Sequence, residues 1–148
     1  MWTDTDLHGA GSALVLKWLY KDADTFSIND VTESTVTGRF KGALHTLDHY
    51  DRVYIVDLDL TPEQIELVDR SNVVVIDSHK NHAAHKHLYQ KAKTIIDADE
   101  YSSIKIIHQK FKSHLSHLTP NQVKLIECVE SYDWYNPESK DSLKLNAI

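Results

Sequence analysis

The sequence predicts a single doubly wound α/β domain, in which a mostly parallel sheet carries helices on both faces. Short β-branched segments alternate with helical segments along the chain, which is typical of βαβ units. Two of these segments, residues 52–56 and 73–76, are continuous, β-branched and bounded by polar residues, as expected of strands buried on both faces. The length of 148 residues suits one domain, and no Gly/Ser-rich or Pro-rich linker divides it. We therefore treat residues 1–148 as one domain.

The composition is that of a water-soluble protein from a reducing compartment. Hydrophobic residues make up 41% and charged residues 26% of the chain, and no apolar run approaches the ~20 residues that span a bilayer. The first residues show no basic stretch followed by an apolar one, which argues against a secretory signal. The single cysteine, Cys128, cannot form an internal disulfide. We therefore expect the cytoplasm, or a host's cytoplasm if the chain is phage-encoded, and no membrane partner.

The charge balance limits the substrates that the chain can bind. A net charge of −6 argues against broad, phosphate-driven binding of duplex nucleic acid. It leaves a small anionic substrate open, because bound divalent metal ions can reverse the sign of the local field. Ten histidines in 148 residues direct attention to metal or phosphate chemistry.

Local patterns predict the remaining elements. Further short strands are predicted at residues 25–28 and 94–96. Helices are predicted at residues 13–19, after a turn at 9–12, and over residues 102–115, where apolar residues recur near helical spacing. Two helix starts combine a capping threonine with proline and glutamine one and three residues later, at Thr61 and Thr119.

Carboxylates and histidines follow the ends of predicted strands. Asp57 directly follows residues 52–56, and Asp77 directly follows residues 73–76, with His79 two residues beyond. The amino-terminal segment, which runs into the first helix, adds three more candidate ligands: Asp4, Asp6 and His8. In a parallel sheet these residues would converge on the carboxyl edge, where the ligand sites of such sheets lie.

Carboxylates crowded in this way are unfavourable unless a cation neutralises them or some stay protonated. Oxygen and imidazole donors together suit Mn²⁺, Mg²⁺, Zn²⁺ or Fe²⁺. Two such ions about 3.5–4 Å apart would stabilise the attacking and leaving oxygens of a phosphoryl transfer. The competing interpretation is that each Asp or His only caps a turn. For any one of these residues, capping is a good explanation. It is a weaker explanation for carboxylates at three strand ends of one chain.

Four segments resemble, in order, the motifs of the DHH phosphoesterases. Residues 5–13, TDLHGAGSA, resemble the first motif, usually His-x-Asp-x-Asp-Gly-x-x-Ser-Ala. Residues 50–57 resemble the second, a buried strand ending in aspartate, and residues 73–80, VVVIDSHK, resemble the third, the Asp-His-His signature. Residues 130–134, ESYDW, with Leu145 and Asn146 beyond them, resemble the fourth. The order and spacing agree over nearly the whole chain.

The resemblance implies a doubly wound domain that binds two divalent ions, usually manganese, and hydrolyses phosphoanhydride or phosphodiester bonds. By position it implies five metal ligands: Asp4, Asp6, His8, Asp57 and Asp133. It implies that Asp77 and His79 orient water or phosphate, with His79 facing the substrate. Ser12, in the predicted glycine turn, and Lys80, in a basic segment, are candidates for substrate binding.

The chain departs from the family motifs at two positions. The first motif reads Asp4-x-Asp6-x-His8, which exchanges the outer two ligand types and would alter the preferred metal without abolishing binding. Ser78 stands where the signature has its first histidine. Because a serine hydroxyl is a poor ligand, a second ion would need another donor, either His79 or His82.

The end of the chain at Ile148 affects the expected substrate. Many family members continue into a second, substrate-binding domain. Without one, we expect a small phosphorylated substrate, such as a nucleotide or a short oligonucleotide, or a partner that supplies the missing surface. Trp134 and Tyr135 would stack on a base of such a substrate, or else close the core under the last loop.

A histidine-rich segment follows the third motif. Its members are His79, His82, His85 and His87, with lysines between them. A separate metal site and a phosphate-facing basic segment are both open, but we favour a plain exposed helix.

Three hypotheses remain open for the function. The first is a phosphoesterase with one or two Mn²⁺ ions per chain, Mg²⁺ being the alternative metal. The second is a catalytically degenerate member of the same family that acts by binding a ligand or partner. The third is an unrelated receiver-like module with one Mg²⁺, which would require a lysine after a late strand, and none follows residues 94–96 closely. A homo-oligomer is compatible with each.

Overall fold

Strands and helices alternate along the chain in the computed structural model, which describes residues 1–29, 32–99 and 102–133. The strands are β1 (Trp2–Asp4), β2 (Phe26–Ile28), β3 (Val53–Val56), β4 (Val73–Asp77) and β5 (Lys93–Ile96). The helices are α1 (Leu7–Leu19), α2 (Glu33–Leu47), α3 (Pro62–Val68), α4 (Lys80–His85), α5 (Ser103–Lys110) and α6 (Pro120–Asp133). A 3₁₀ turn at Lys86–Leu88 follows α4.

The strands form one parallel sheet in the order β2-β1-β3-β4-β5. The chain passes from β1 outward to β2, and then returns to the other side of β1 to add β3, β4 and β5. This reversal between β1 and β3 is the point at which doubly wound sheets bind ligands, outside the carboxyl ends of the strands. The predicted doubly wound parallel sheet is confirmed.

Each face of the sheet carries its own apolar core because side chains alternate along a strand. In β3, Tyr54 and Val56 belong to the core formed with α1, α5 and α6. Val53 and Ile55 belong to the core formed with α2 and α3. Helices therefore cover both faces, which explains why β3 and β4 are buried along their whole length.

The predicted turn at residues 9–12 is wrong, because α1 begins before both glycines. Asp6 caps the helix, and its carboxylate accepts the N–H of Gly9 at 2.8 Å. The glycines serve packing instead. A Cβ on Gly9 would lie 2.5 Å from the carbonyl oxygen of Asp4, and one on Gly11 would lie 3.0 Å from the Val129 side chain. Their small size lets α1 lie directly against the end of β1 and against α6.

The helix predicted over residues 102–115 ends early, at Lys110. Turns continue to residue 117, and within them the N–H of Leu115 donates to the carbonyl of Phe111 at 3.0 Å. Phe111 and Leu115 still pack against the same core as Ile104 and Ile107. The apolar spacing thus identified the buried face correctly but not the helix end, because consecutive turns repeat at nearly helical spacing.

The other local predictions agree with the structure to within a residue or two, except at the start of the chain. Strands β2 to β5 lie at the four predicted positions. Both predicted caps are present: the N–H groups of Thr61 and Thr119 each donate to the glutamine three residues later at 2.9 Å. Strand β1 was not predicted, because its three residues are too few to show a period. None of the described helices is long and apolar enough to cross a membrane.

Replacing Gly9 with alanine tests the close approach of α1 to β1. The added Cβ would lie 2.5 Å from backbone oxygen, so we expect Gly9→Ala to lower the free energy of unfolding by about 1–3 kcal/mol or more. Gly38→Ala is the matched control, since a Cβ at Gly38 in α2 meets nothing within 4 Å. That variant should gain about 0.5–1 kcal/mol from helix propensity. Urea unfolding measures both, and equal effects would contradict the tight contact.

Candidate metal and phosphate site

Two buried carboxylates lie side by side at the carboxyl ends of β3 and β4. Val56 pairs with Ile76 in the sheet, and the N–H of Asp57 donates to the Ile76 carbonyl at 3.0 Å. Asp57 is 5% exposed and Asp77 is fully buried. The structure therefore brings both aspartates to the edge at which the sequence predicts the site.

Asp57 is held in an unusual backbone conformation by its surroundings. Its φ is 57°, and it is the one described residue other than glycine with a positive φ. Aspartate tolerates this region because its short polar side chain can form local hydrogen bonds. The hydroxyl of Ser103, at the start of α5, donates to Asp57 Oδ1 at 2.7 Å.

The electrostatic surroundings of Asp57 disfavour its charged form. Burial raises the pKa of Asp57 to about 6; the hydrogen bond from Ser103 opposes this shift, and the charges of Asp6 and Asp77 add to it. At neutral pH the carboxylate is therefore ionised in a place where the protein compensates its charge poorly.

The first turn of α1 brings two further donors to Asp57. Asp6 is the exposed N-cap residue of the helix, and His8 lies within its first turn. One ligand atom from each of Asp6, His8 and Asp57 lies within 4.8 Å of the other two. The missing Cβ of Gly9 permits this arrangement, since it lets the start of the helix lie against the end of β1.

Asp77 is hydrogen-bonded to two histidines. His79 Nδ1 lies 2.8 Å from Asp77 Oδ1, and His82 Nδ1 lies 2.8 Å from Asp77 Oδ2. Because an ionised carboxylate only accepts hydrogen bonds, both ring nitrogens donate. Burial would raise the pKa of Asp77, but the bonds from His79 and His82 outweigh it and the pKa is lowered.

The Asp77–His79 pair carries opposite charges at neutral pH. The hydrogen bond to Asp77 raises the pKa of His79 to about 9, against an opposing effect of partial burial, and the charges of Asp57 and Asp59 add to the increase. The side chain of His79 remains 46% exposed. A positive, partly exposed imidazolium is suited to contact an anion.

Two groups of ligand atoms share Asp57: Asp6, His8 and Asp57 form one, and Asp57, Asp77 and His79 form the other. The first group fits a divalent ion, because it combines carboxylates with an imidazole around a buried charge that lacks compensation. The second group fits less well. Both oxygens of Asp77 already accept hydrogen bonds, and a protonated His79 has no free lone pair.

Three predicted site residues lie apart from these groups. The Asp4 carboxylate instead accepts backbone N–H groups of the β1–α1 turn, those of Thr5 and Asp6. Ser12 is fully buried within α1, so it does not face the space where a substrate would bind. Lys80 is the exposed first residue of α4, directly after His79.

Asp133 is the last residue of α6, and its side chain lies outside the described residues. Trp134, Tyr135 and residues 145–146 also lie outside them. Val129, one turn before the end of α6, lies against Gly11 near the start of α1. Helix α6 therefore packs against the amino-terminal half of α1.

Sequence reasoning missed Tyr89 and Ser103 at this edge, and it named His82 only as a substitute metal donor. The favoured expectation of an exposed helix after the third motif is wrong for His82, which is fully buried. His82 lies three residues after His79, and this spacing could have indicated that both histidines face the same group. Ser103 gave none, because it is 46 residues from Asp57 in the chain.

A cavity of about 720 Å³ lies at the opposite, amino edge of the sheet. Aromatic side chains line it, among them Trp2, Tyr20 and Tyr54. It is roomy, but none of the residues in the two ligand groups contributes to its wall. We therefore assign the candidate chemistry to the carboxyl edge, where the donors converge.

Replacing Asp57 with asparagine should stabilise the metal-free protein. Because the folded pKa of about 6 exceeds the ordinary value of 3.8, ionised Asp57 opposes folding, and stability falls as pH rises between these values. At pH 7 we expect Asp57→Asn to add about 1–3 kcal/mol to the free energy of unfolding. Asparagine also tolerates a positive φ.

Urea unfolding in chelator at pH 7 and at pH 3.5 measures this effect. Near pH 3.5 the carboxyl is largely protonated in both states, so the gain should nearly vanish. A variant that is less stable than the parent at pH 7 would contradict the unfavourable charge.

The comparisons with known proteins bear on the fold. No protein-family profile matches the chain, and no curated protein matches it. Among solved structures, the chain is similar to an uncharacterized protein from Helicobacter pylori G27, with a TM-score of 0.70 and 20% sequence identity. The match covers 92% of this chain and 42% of that protein, so the chain spans less than half of its length. At this identity the likeness shows a shared fold.

Proposed function

We propose that the chain is a divalent-metal-dependent phosphoesterase that acts on a small phosphorylated substrate, such as a nucleotide or a short oligonucleotide. The observation that carries this proposal is the group of ligand atoms from Asp6, His8 and Asp57, with His79 held by Asp77 beside it. These residues lie beside the reversal of the doubly wound sheet, at its carboxyl edge. The order of the four sequence motifs supports the same function.

Asp6, His8 and Asp57 would hold the metal, and Asp133 would join them at the end of α6. Carboxylate and imidazole donors suit Mn²⁺, with Mg²⁺ as the alternative ion. When bound, a divalent ion supplies the Lewis acidity that phosphoryl transfer requires. It would also compensate the charge of Asp57, whose pKa burial raises to about 6.

Asp77 and His79 would act on the substrate. Asp77 holds His79 through Nδ1, which leaves the exposed imidazolium to contact a phosphate oxygen. Its positive charge would balance the charge that develops on the phosphoryl group. Lys80, exposed beside it, would add to the positive field that the substrate meets.

Ser78 favours one tightly held ion over two. Its hydroxyl lies 3.4 Å from that of Ser103, which in turn donates to Asp57. Serine thus replaces an imidazole donor with a hydroxyl that belongs to a hydrogen-bonded network. We expect one Mn²⁺ per chain at the group of Asp6, His8 and Asp57.

Metal-binding and hydrolysis assays on the same preparation test the function. After chelation and dialysis, calorimetric titration should give one Mn²⁺ per chain, and Mn²⁺ should activate hydrolysis of bis-p-nitrophenyl phosphate or a dinucleotide. Asp57→Asn should lower turnover by on the order of 100-fold or more, the scale on which loss of electrostatic stabilisation acts. Asp51→Asn removes an equal charge at the opposite edge and should leave turnover unchanged.

A chain that neither binds Mn²⁺ nor turns over any substrate would overturn the proposal. Binding of Mn²⁺ and of nucleotide without turnover would instead support the second candidate, a catalytically degenerate protein that works by binding. The replacement at Ser78 is the observation that favours that candidate. The receiver-like module is disfavoured because Asp97 follows β5, in place of the lysine such a module requires.

The pH dependence of the two steps should differ. Mn²⁺ affinity should fall as pH drops through about 6, because a proton then competes for Asp57. Turnover at saturating Mn²⁺ should fall as pH rises through about 9, because His79 then loses the charge that faces the substrate. Calorimetry across pH 5–8 and rate measurements across pH 7–10 check these limbs. A His79→Gln variant should lose the upper limb and keep the lower one.

A further inference from the structure

We propose that Tyr89 and His82 form a positioning relay that fixes the Asp77 carboxylate and, through it, the direction of His79. The inference rests on the proposed function, in which His79 faces the substrate phosphate. It assigns a role to a buried histidine and a partly buried tyrosine that neither ligand group uses.

The relay is a continuous line of short hydrogen bonds. The hydroxyl of Tyr89 lies 2.7 Å from His82 Nε2, and His82 Nδ1 lies 2.8 Å from Asp77 Oδ2. Asp77 Oδ1 then lies 2.8 Å from His79 Nδ1. His82 is fully buried, so no solvent water replaces either of its partners.

The two oxygens of Asp77 depend on different histidines, and this fixes the carboxylate plane. Without His82, Oδ2 would keep one described partner, the backbone N–H of His79 at 3.2 Å. The carboxylate would then lose its shorter bond at Oδ2, and its plane would be held less firmly. Because His79 is held through Oδ1, its ring would lose its direction too.

The outer end of the relay is anchored to the fold. Asp69, at the end of α3, accepts the backbone N–H groups of the three residues after Tyr89 at 2.7–2.9 Å: Gln90, Lys91 and Ala92. Tyr89 also packs among the apolar side chains on that face of the sheet. The hydroxyl that meets His82 is therefore held at a defined place.

Core packing alone does not explain a histidine at position 82. A buried polar group stabilises a core only when its hydrogen bonds are satisfied, and an apolar side chain of similar volume avoids that requirement. Here both nitrogens of His82 are satisfied, and one of them contacts a residue of the site. Groups that orient site residues in this way commonly change activity when they are removed.

Four variants test the relay. His82→Leu removes both bonds, whereas His82→Asn keeps an amide donor near the place of Nδ1. Tyr89→Phe removes only the outer hydroxyl. Val68→Ala, in the buried core at α3, is the control for lost packing, because Val68 is fully buried and belongs to neither the relay nor the ligand groups.

We expect His82→Leu to lower kcat about 10–100-fold, the scale of losses from orienting residues, while Mn²⁺ affinity at Asp57 stays unchanged. His82→Asn should recover most of the lost kcat. The kcat of Tyr89→Phe should lie between those of His82→Leu and the parent chain. Val68→Ala should lower stability and leave kcat unchanged. If His82→Leu behaves like Val68→Ala, or if His82→Asn recovers nothing, the relay is overturned.

Nitrogen-15 NMR of the histidine rings tests the relay apart from turnover. In the parent chain, His79 Nδ1–H should give a sharp, hydrogen-bonded signal, which should broaden or shift in His82→Leu and return in His82→Asn. If the parent chain shows no turnover but these signals change as expected, the proposed function fails and the positioning role stands. An unchanged His79 signal in His82→Leu overturns the positioning role whatever the turnover.

Discussion

The structure at the carboxyl edge depends on the burial of two carboxylates that are almost fully removed from water. Asp57 and Asp77 follow adjacent, paired strands, so their proximity is imposed by the sheet itself. Burial disfavours the charged form of each, and the charges of Asp6 and Asp77 add to this effect at Asp57. The groups packed around the two carboxylates determine the pKa of each, and therefore which one is stable in its charged form.

The protein treats the two aspartates unequally. Asp77 receives hydrogen bonds from two histidine rings, which bring its pKa below the ordinary value despite burial. Asp57 receives one from a neutral serine, and burial raises its pKa to about 6. The charge of Asp77 is thus compensated within the fold, whereas the groups described around Asp57 compensate its charge poorly. This asymmetry underlies the separate roles proposed for the metal-holding side and the phosphate-facing side of the site.

A small residue in α1 and the backbone conformation of Asp57 bring further ligand atoms to this edge. Gly9 lets α1 start directly against β1, so that the N-cap Asp6 and nearby His8 reach Asp57. A positive φ turns the chain sharply at Asp57 itself. Local strain of this kind persists where the surrounding structure over-determines it, and it concentrates at functional sites.

Local sequence patterns determined most of the fold and the outline of the site. Alternating β-branched runs and capped helices predicted the parallel sheet, and the aspartates directly after two runs predicted the edge at which ligands collect. Those features depend on neighbours in the chain, so a sequence displays them. The three-residue strand β1 and the end of α5 were too short or too nearly helical in spacing to be recognised.

Tertiary structure alone decided which side chains complete the site. Ser103 contacts Asp57 across 46 residues of chain, Tyr89 contacts a histidine that local spacing placed on the surface, and Ser12 is fully buried. The glycines near the amino terminus illustrate the reason. Their pattern is the same in a phosphate-binding turn and in a closely packed helix, and only the tertiary structure shows the Asp4 carbonyl and the Val129 side chain packed where a Cβ would lie.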